Sequence, residues 1–317
     1  MGNFSDDMLN LDTLRKILVR EEDTIIFSLI ERAKYPINSP LYDKRPGLSG
    51  SLFEFFVKES EAVQAKLSPS LALLGISGRS GPGLCREKCA VQTCLLVRTK
   101  CAVRGPLSYQ TVDGNDRSKV VTLICLEFQP EPSAGRYSSA EENAFFPDNL
   151  PPPLLPLRDN EQVLHPRGAS ININEQISNM YHKQLLPLIT SNGDDRNYAI
   201  TAGRDLDCLQ ALSRRIHLGK FVAEIKFRES PENYTRAIRA QDKDALMKLL
   251  TFTSVEEMIK NRVEKKAMVF GQEVDLKEND NVGKYKVNPS VVSRLYGEWV
   301  IPLTKFVEVE YLLCRLD

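Results

Sequence analysis

The chain begins with a stretch whose apolar residues recur with the period of a helix. In LNLDTLRKILVREEDTIIFSLIERAKY, which starts at Leu9, leucine and isoleucine follow one another at spacings of three, four and seven residues, as on one face of an amphipathic helix. A second segment, SLFEFFVKESEAVQAK at 51–66, shows the same period. It opens with Ser51 and has Glu54 three residues later, which is the capping-box pattern of a helix N-terminus. These residues therefore predict two helices.

The helical period returns near residue 172 and continues to the end of the chain. It is present in NINEQISNMYHKQLLPLI (172–189), the stretch that begins near Asp205, DKDALMKLLTF (242–252), SVEEMIKNRVEKKAMVFG (254–271) and the last helix from Asn288. The fourth of these opens with a Ser254 and Glu257 capping box, and Pro302 predicts a kink in the last. Because no repeat and no alternation of strand and helix is visible, we predict an all-α fold with a single large helical domain.

The stretch from Leu67 to Ser133 has a different character. Glycine and proline gather there, Val/Ile/Cys-rich runs favour strand, and five of the seven cysteines lie within it: Cys85, Cys89, Cys94, Cys101 and Cys125. Their spacing contains no C-x-x-C pair and has no histidine nearby, which argues against a zinc site. We predict that 67–133 is an atypical insertion, disordered or poorly folded, between the parts of a domain formed by 1–66 and 134–317. The proline-rich segment that follows, as far as Ser170, is predicted to be extended.

Composition excludes several classes of function. Forty-two Lys and Arg balance 42 Asp and Glu, so no overall field draws the chain to nucleic acid or to an anionic membrane. No apolar run is long enough to span a bilayer, and the opening MGNFSDDMLNLD lacks the pattern of a signal or transit peptide. We therefore expect a cytoplasmic protein without nucleic-acid or membrane partners. No Gly-rich phosphate loop is present, and no cofactor is expected.

One predicted helix combines an apolar composition with several cations. LQALSRRIHLGKFVAEIKF, Leu209 to Phe227, carries Arg214, Arg215, Lys220 and Lys226. The second and the last of these cations are eleven residues apart, which is about three full turns, so both project from the same face. A single cation on an apolar face usually extends its charge to solvent. Two on one line of a core-like helix require anions, either protein carboxylates or a ligand.

Candidate partners for these cations lie on other predicted helices. Thr304 and Glu308 are four residues apart in IPLTKFVEVEYLLCRL and share a face. Glu256 is in the first turn of its helix, and Arg15 lies between two leucines of the first helix. Each residue alone also fits a structural role, at a solvated face or a helix end. His217 lies about 200° around the helix from the nearest arginine and is predicted to be a packing residue. The set fits a small dianion whose reaction needs neither nucleophile nor cofactor.

These residues lie in stretches that resemble the eukaryotic chorismate mutases, specifically the plant cytosolic type. The resemblance implies an all-helical homodimer that converts chorismate to prephenate, the committed step toward phenylalanine and tyrosine. It covers nearly everything outside 67–133. The matching stretches are LNLDTLRKILVREEDTIIFSLIERAKY, NAFFPDNLPPPLLP, DLDCLQALSRRIHLGKFVAEIKF, RAQDKDALMKLLT and LYGEWVIPLTKFVEVEYLLCRLD.

The resemblance also implies roles for individual residues. Arg15, Arg215 and Lys226 match the cations that grip the substrate carboxylates and face its ether oxygen. Glu256 matches the residue near the substrate hydroxyl, and Thr304 and Glu308 match a pair on the last helix, with the glutamate at the ether oxygen. Because negative charge develops on that oxygen, a protonated glutamate could donate to it, and activity should then fall as pH rises.

The sequence departs from the family pattern at four positions. Phe252 stands where the family can use an amide, and Phe306 replaces a glutamate. In regulated members aromatic amino acids bind through an arginine before the FFP segment and a Gly-Ser pair before the LQ-LSRR helix. Arg136 is present, but the pair reads Ala199-Ile200, which crowds the backbone approach and removes a hydroxyl. We therefore predict weak or absent feedback by tryptophan, tyrosine and phenylalanine.

Two questions stay open at this level. Family members run directly from AVQAK into AGRY, so 67–133 is either a translated intron or gene-model error, or a genuine insertion with a binding role. We favour the first, because nothing in the stretch has a mechanism and its pattern disagrees with a helical fold. Against the enzyme stands a helical binding protein whose insertion recruits a partner, and more distantly a zinc-dependent regulator. The combination of cations and glutamates favours the enzyme.

Overall fold

The computed structural model describes residues 10–44, 50–66, 135–154, 163–272 and 285–317. Its α-helices are, in chain order, α1 (Leu11–Arg32), α2 (Leu52–Lys66), α3 (Pro166–Ala169), α4 (Asn174–Met180), α5 (Leu186–Ile189), α6 (Tyr198–His217), α7 (Gly219–Glu229), α8 (Pro231–Arg239), α9 (Lys243–Leu250), α10 (Thr253–Gly271), α11 (Pro289–Leu295) and α12 (Ile301–Leu313). Two π-helical segments, Tyr181–Leu185 and Tyr296–Val300, continue α4 into α5 and α11 into α12. Short 3-10 turns occur at Ser39–Leu41, Arg136–Ser138 and Pro147–Asn149.

The prediction of an all-α fold is confirmed. Within the described ranges the β pairing is limited to two isolated bridges, Lys44 with Ser51 and Gln272 with Tyr285. No helix in the described part of the chain is long and apolar enough to cross a membrane. The predicted insertion at 67–133 lies outside the described residues, so its state stays a prediction.

The chain divides into two compact units. Of the described residues, the larger one contains 10–44, 50–59, 140–147, 163–272 and 285–317, and the smaller one contains 60–66, 135–139 and 148–154. In the smaller unit, the Tyr137 hydroxyl donates to Gln64 Oε1 over 3.0 Å. All the helices that carry the predicted substrate site belong to the larger unit.

The larger unit has two hydrophobic clusters. The first is formed by residues of α1, α2, α4, α5, α6, α10, α11 and α12, and the second by residues of α7, α8, α9 and α12 with Leu14 of α1. α1 packs along α6, and α7 packs along α12. The helices with the predicted site residues therefore meet where the two clusters adjoin.

Most predicted helix ends agree with the structure. Ser51 Oγ accepts from the Glu54 backbone N–H over 3.1 Å, and the Glu54 carboxylate accepts from Ser51 N over 2.9 Å, so the first capping box is confirmed. Asn288 caps α11 by accepting from Ser290 N over 3.0 Å. Near Pro302, where a kink is predicted, the structure has a π-helical segment directly before α12. It is consistent with a proline that has no N–H to donate to the preceding turn.

Three details of the predicted helices were wrong. α10 begins at Thr253 after Phe252, with no side-chain cap, so Ser254 and Glu257 do not form a capping box. Glu257 instead pairs with Lys260 one turn later, at 2.5 Å. α6 begins at Tyr198 and not near residue 205. The helix of the cations is also interrupted at Leu218, where α6 ends and α7 begins.

Candidate active site

Four of the predicted site residues meet between α6, α7 and α12. Arg215, near the end of α6, is only 4% exposed, and its Nη1 is 3.5 Å from Thr304 Oγ1. Lys226, near the end of α7, has its Nζ 3.2 Å from Glu308 Oε2. Because Thr304 and Glu308 are one turn apart on α12, the two cations approach neighbouring turns of the same helix. The prediction that both cations face one site agrees with this geometry despite the interruption between α6 and α7.

Gly219, the first residue of α7, allows the close approach of these helices. A Cβ atom placed there would lie 2.9 Å from the Thr304 carbonyl oxygen and 3.1 Å from its Cγ2. Only a residue without a side chain fits so near another backbone. The interruption at Leu218 therefore brings the start of α7 directly against the α12 turn that carries Thr304.

Glu308 is a buried carboxyl with incomplete charge compensation. It is 5% exposed, and burial raises the pKa of the Glu308 carboxyl above its ordinary value. The positive charges around it, that of Lys226 first, lower its pKa only in part. A carboxyl in such surroundings holds a proton at higher pH than an exposed glutamate does, and can act as a hydrogen-bond donor.

Glu256 has a cation partner that the sequence did not reveal. Its Oε1 is 2.9 Å from the Nζ of Lys305, which also donates to Thr251 Oγ1 over 3.3 Å. Lys305 follows Thr304 directly, but helical spacing turns it about 100° away from the line of Thr304 and Glu308. Sequence periodicity alone therefore does not group it with these two residues. In the structure it links the first turn of α10 to α12.

Two phenylalanines mark the departures from the family pattern. Phe252 is 53% exposed, and its ring lies over the Lys226 ammonium, with 5.3 Å between Nζ and the ring centroid. This is a cation–π distance. Phe306 is partly buried and packs against the first hydrophobic cluster. The first substitution thus contacts a predicted site residue, whereas the second contributes to the core.

Arg15 does not join the cluster in this structure. Its side chain is 63% exposed, and its Nη1 pairs with Asp12 at 3.0 Å on the same face of α1. Among the described residues, no hydrogen bond or ion pair connects Arg15 to the other five predicted site residues.

The remaining charges of the α6–α7 segment have protein partners. Arg214 faces Glu21 at 3.5 Å and Glu142 at 3.4 Å. Lys220 is fully buried and donates to Asn143 Oδ1 over 3.0 Å, and burial lowers its pKa to about 8. His217 accepts a hydrogen bond at Nε2 from a backbone N–H, and burial lowers its pKa to about 3. The prediction that this histidine is a packing residue agrees with these contacts.

The predicted effector residues fall in different units. Arg136 begins a short 3-10 turn of the smaller unit. Ala199 and Ile200 are in the first turn of α6, in the larger unit, and both are exposed.

A groove of about 670 Å³ runs along α10, but its lining includes none of the six predicted site residues. In the described part of the chain, no three His, Cys, Asp or Glu side chains are grouped to hold a metal ion. The fold and the cluster thus define a helical protein with a buried cationic site that is suited to a small anion.

Comparisons with known proteins identify the family. The model of "Chorismate mutase type II" matches residues 199–309, the part of the chain with Arg215, Lys226, Glu256, Thr304 and Glu308. Chorismate mutase 2 of Arabidopsis thaliana is 45% identical over 100% of this chain and 97% of its own length. The cytosolic chorismate mutase 2 of Zea mays is 41% identical over 98% of each chain.

A solved structure agrees with these relatives. The crystal structure of the chorismate mutase AtCM1 with tyrosine bound in its allosteric site has a TM-score of 0.70 and 41% identity, over 99% of each chain. The chain belongs to the chorismate mutase family. It is accordingly an isomerase of chorismate.

Proposed function

We propose that Arg215, Lys226, Glu256, Thr304 and Glu308, together with Arg15, carry out the rearrangement of chorismate to prephenate. One observation carries this proposal. A lysine ammonium and a buried carboxyl with a raised pKa lie 3.2 Å apart, and a buried arginine reaches the preceding turn of the same helix. A purely structural cluster has no need of a carboxyl that retains its proton.

The first task of the site is to hold a dianion in a compact conformation. The reaction is unimolecular, so a substrate whose side chain is kept over its ring has already lost much of the entropy that the barrier requires. Arg215 supplies a fixed, planar donor for a carboxylate, and Thr304 helps to hold its guanidinium. Lys305 adds a further cation next to Glu256. The Glu256 carboxylate would face the substrate hydroxyl.

The second task is to stabilise charge on the ether oxygen as the C–O bond breaks. Lys226 donates one hydrogen bond and protonated Glu308 donates another, both from a site with little water. In the structure these two groups contact each other, and the ether oxygen would enter between them. No nucleophile and no proton transfer to solvent is required.

Arg15 takes part in this proposal as a mobile arm. Its exposed ion pair with Asp12 is of a kind that contributes little, about 0–1 kcal/mol. An arriving carboxylate can therefore displace that pair at small cost and draw the guanidinium toward the substrate.

The test of the proposed function is the loss of chorismate absorbance over time. We expect the full chain to turn over substrate, and a version without 67–133 serves as the second arm. Activity of both marks the insertion as a passenger, and activity of the short version alone locates damage in 67–133. If neither version is active, the proposal is wrong and a helical binding protein takes its place.

We also propose that the protein is a cytoplasmic homodimer. Support comes from the family resemblance and from the similarity to the cytosolic Zea mays relative. Light scattering on a size-exclusion column tests the assembly, and a monomer mass at micromolar concentration would contradict it. Imaging of a tagged full-length chain tests the location.

Weak or absent feedback is proposed on narrower grounds. The similarity to AtCM1, whose structure carries tyrosine in an allosteric site, does not support insensitivity. The proposal therefore depends on Ala199 and Ile200 alone. A several-fold change in rate on addition of tryptophan, tyrosine or phenylalanine would refute it. Ala199→Gly together with Ile200→Ser should restore a response if the side chains of this pair are the cause.

A further inference from the structure

Glu224 closes the motif LQALSRRIHLGKFVAE but has no part in the site described above. It lies on α7, is 1% exposed, and accepts four hydrogen bonds. The Tyr311 hydroxyl and Arg315 Nε each donate to Oε2 over 2.6 Å. Arg228 Nε donates to Oε1 over 2.6 Å, and Arg315 Nη2 donates to Oε1 over 3.1 Å. Both carboxylate oxygens are therefore fully engaged.

These contacts favour the ionised form of Glu224. Burial alone would raise the pKa of the Glu224 carboxyl, but the hydrogen bonds from Arg315, Tyr311 and Arg228 outweigh burial and hold it below its usual value. Bonds between guanidinium and carboxylate are also the strongest that side chains form. We call Glu224, Arg228, Tyr311 and Arg315 the clamp.

The clamp lies within one turn of the proposed site and joins the same two helices. Glu224 precedes Lys226 by two residues on α7, and Tyr311 follows Glu308 by three residues on α12. α7 and α12 therefore share two polar links, the Lys226–Glu308 pair and the bond from Tyr311 to Glu224. The first contacts the substrate in the proposed function, and the second does not.

The clamp is anchored on a third segment. His165 N donates to the Tyr311 hydroxyl over 2.9 Å, and Arg228 Nη2 donates to the Val163 carbonyl over 3.0 Å. Any Cβ at Gly168 would lie within 2.4 Å of Tyr311 ring carbons, so the ring packs directly on that backbone. The tyrosine is thus fixed at its hydroxyl and along one face of its ring.

The Lys226–Glu308 pair cannot by itself hold the two helices in register during the reaction. Both groups have to turn from each other toward the ether oxygen, and a contact that opens loses its hold on the helices. We propose that Glu224 is a positioning residue: through Tyr311 and Arg315 it fixes α7 against α12, so that Lys226 and Glu308 keep pointing at one place. This inference rests on the proposed function, because it assigns Glu224 a role only if that pair acts on the substrate.

The experiment compares Glu224→Gln with the full chain in the chorismate assay. We expect kcat to fall about tenfold or more while KM changes much less, because misplacement of a donor by a fraction of an ångström mainly affects the transition state. If Lys226 is held less firmly next to Glu308, its positive charge lowers the pKa of Glu308 by a smaller amount than in the full chain. The pH at which activity falls should therefore move upward. A residue with only a structural role would leave that pH unchanged.

Glu310→Gln is the matched control. Glu310 is next to Tyr311 on α12 and pairs with Lys243 at 2.6 Å on the surface, so its substitution removes one carboxylate charge without affecting the clamp. We expect it to keep kcat, KM and the pH profile of the full chain.

The outcomes separate the two proposals. If neither the full chain nor the version without 67–133 turns over chorismate, the proposed function is wrong, and the clamp proposal fails with it. A folded Glu224→Gln chain with unchanged kcat and pH profile overturns the clamp proposal alone. If Glu224→Gln does not fold, Tyr311→Phe decides, since it keeps the ring on Gly168 and removes only the hydroxyl, with its bonds to Glu224 and to His165 N. A smaller fall in kcat with the same upward pH shift supports the proposal, and no change overturns it.

Discussion

Two buried glutamates on facing helices differ in the way the protein treats their charge. Glu224 of α7 and Glu308 of α12 are both nearly inaccessible. Two guanidinium groups and a phenol donate to Glu224, which lowers its pKa. Glu308 has one ammonium at 3.2 Å, and its pKa is raised. Burial favours the protonated form of both carboxyls, so the difference lies in the donors that the protein supplies.

This difference indicates which of the two carboxyls has chemistry to perform. A buried anion with all its donors in place stabilises one arrangement of the chain. A buried carboxyl with too few donors costs stability and is tolerated where its proton is used.

Removal of the single ammonium next to Glu308 should have the largest effect. We expect Lys226→Met to lower kcat by about 100-fold or more, because a preorganised donor to developing charge in a dry site contributes about that much. Lys226 also lowers the Glu308 pKa, so the residual activity should extend to higher pH. Initial rates of chorismate loss across a pH series measure both effects.

Lys243→Met controls for the loss of a lysine charge near α12. Lys243 is 61% exposed and pairs with Glu310 on the surface. Its substitution should leave the rate unchanged. A loss of less than threefold in Lys226→Met would show that this ammonium does not act on the substrate.

The proton on Glu308 should determine how activity depends on pH. In the full chain, activity should fall as pH rises through the raised pKa of this carboxyl. Glu308→Gln keeps a donor that does not titrate, so its profile should be flat over the same range. At lower pH its rate should stay within about tenfold of the full chain, because a neutral amide donates more weakly than a carboxylic acid. A profile in the full chain that is already flat would count against a protonated Glu308.

The same substitution changes the pH dependence of stability. A carboxyl whose pKa is higher in the folded than in the unfolded state stabilises the fold less as pH rises, and its contribution is lost through the folded pKa. As pH increases, the melting temperature of Glu308→Gln should therefore rise relative to that of the full chain. Differential scanning fluorimetry at several pH values measures this gain.

The helices could be predicted where burial followed the apolar period. The starts at Ser51 and Asn288 were predicted correctly because helix caps are local chemistry, whereas the Ser254 box failed because α10 begins one residue earlier, at Thr253. The start of α6 was missed because its first turns bury polar residues. Asp205, fully buried, accepts from Arg32 at 2.5 Å and from Tyr181 at 2.6 Å. A buried ion pair of this kind interrupts the apolar pattern although the backbone stays helical.

The site residues could be predicted where two of them share one face of the same predicted helix. Arg215 and Lys226, and Thr304 and Glu308, share faces by their spacing. Lys305 was not found, because its partner Glu256 lies on a separate helix 49 positions earlier in the chain. Contacts between helices that are distant in sequence depend on packing, which periodicity does not encode.

Substitution of Phe252, which contacts Lys226, should have a smaller effect. Phe252→Leu removes a ring that lies over the ammonium but keeps an apolar side chain. We expect the rate to change by about two- to fivefold, the equivalent of about 0.5–1 kcal/mol for an exposed cation–π contact. Phe252→Tyr keeps the ring face and is the control. Equal effects of the two variants would show that the contact of the ring with Lys226 is not the cause.

The smallest effect is expected at the exposed Arg15–Asp12 pair. Its charges are mostly in contact with solvent, unlike those of the buried Glu224 and Glu308. Asp12→Asn frees the guanidinium of Arg15 from a competing carboxylate, so KM for chorismate should fall by about twofold with kcat unchanged, as befits a weak surface pair. Asp12 is also in the first turn of α1, where a negative charge favours the helix, so stability should drop by about 0.3–1 kcal/mol. Steady-state kinetics and urea unfolding measure the two changes. A rise in KM would mean that Asp12 holds Arg15 ready for the substrate, and the exposed pair would then belong with Glu224 as a positioning contact.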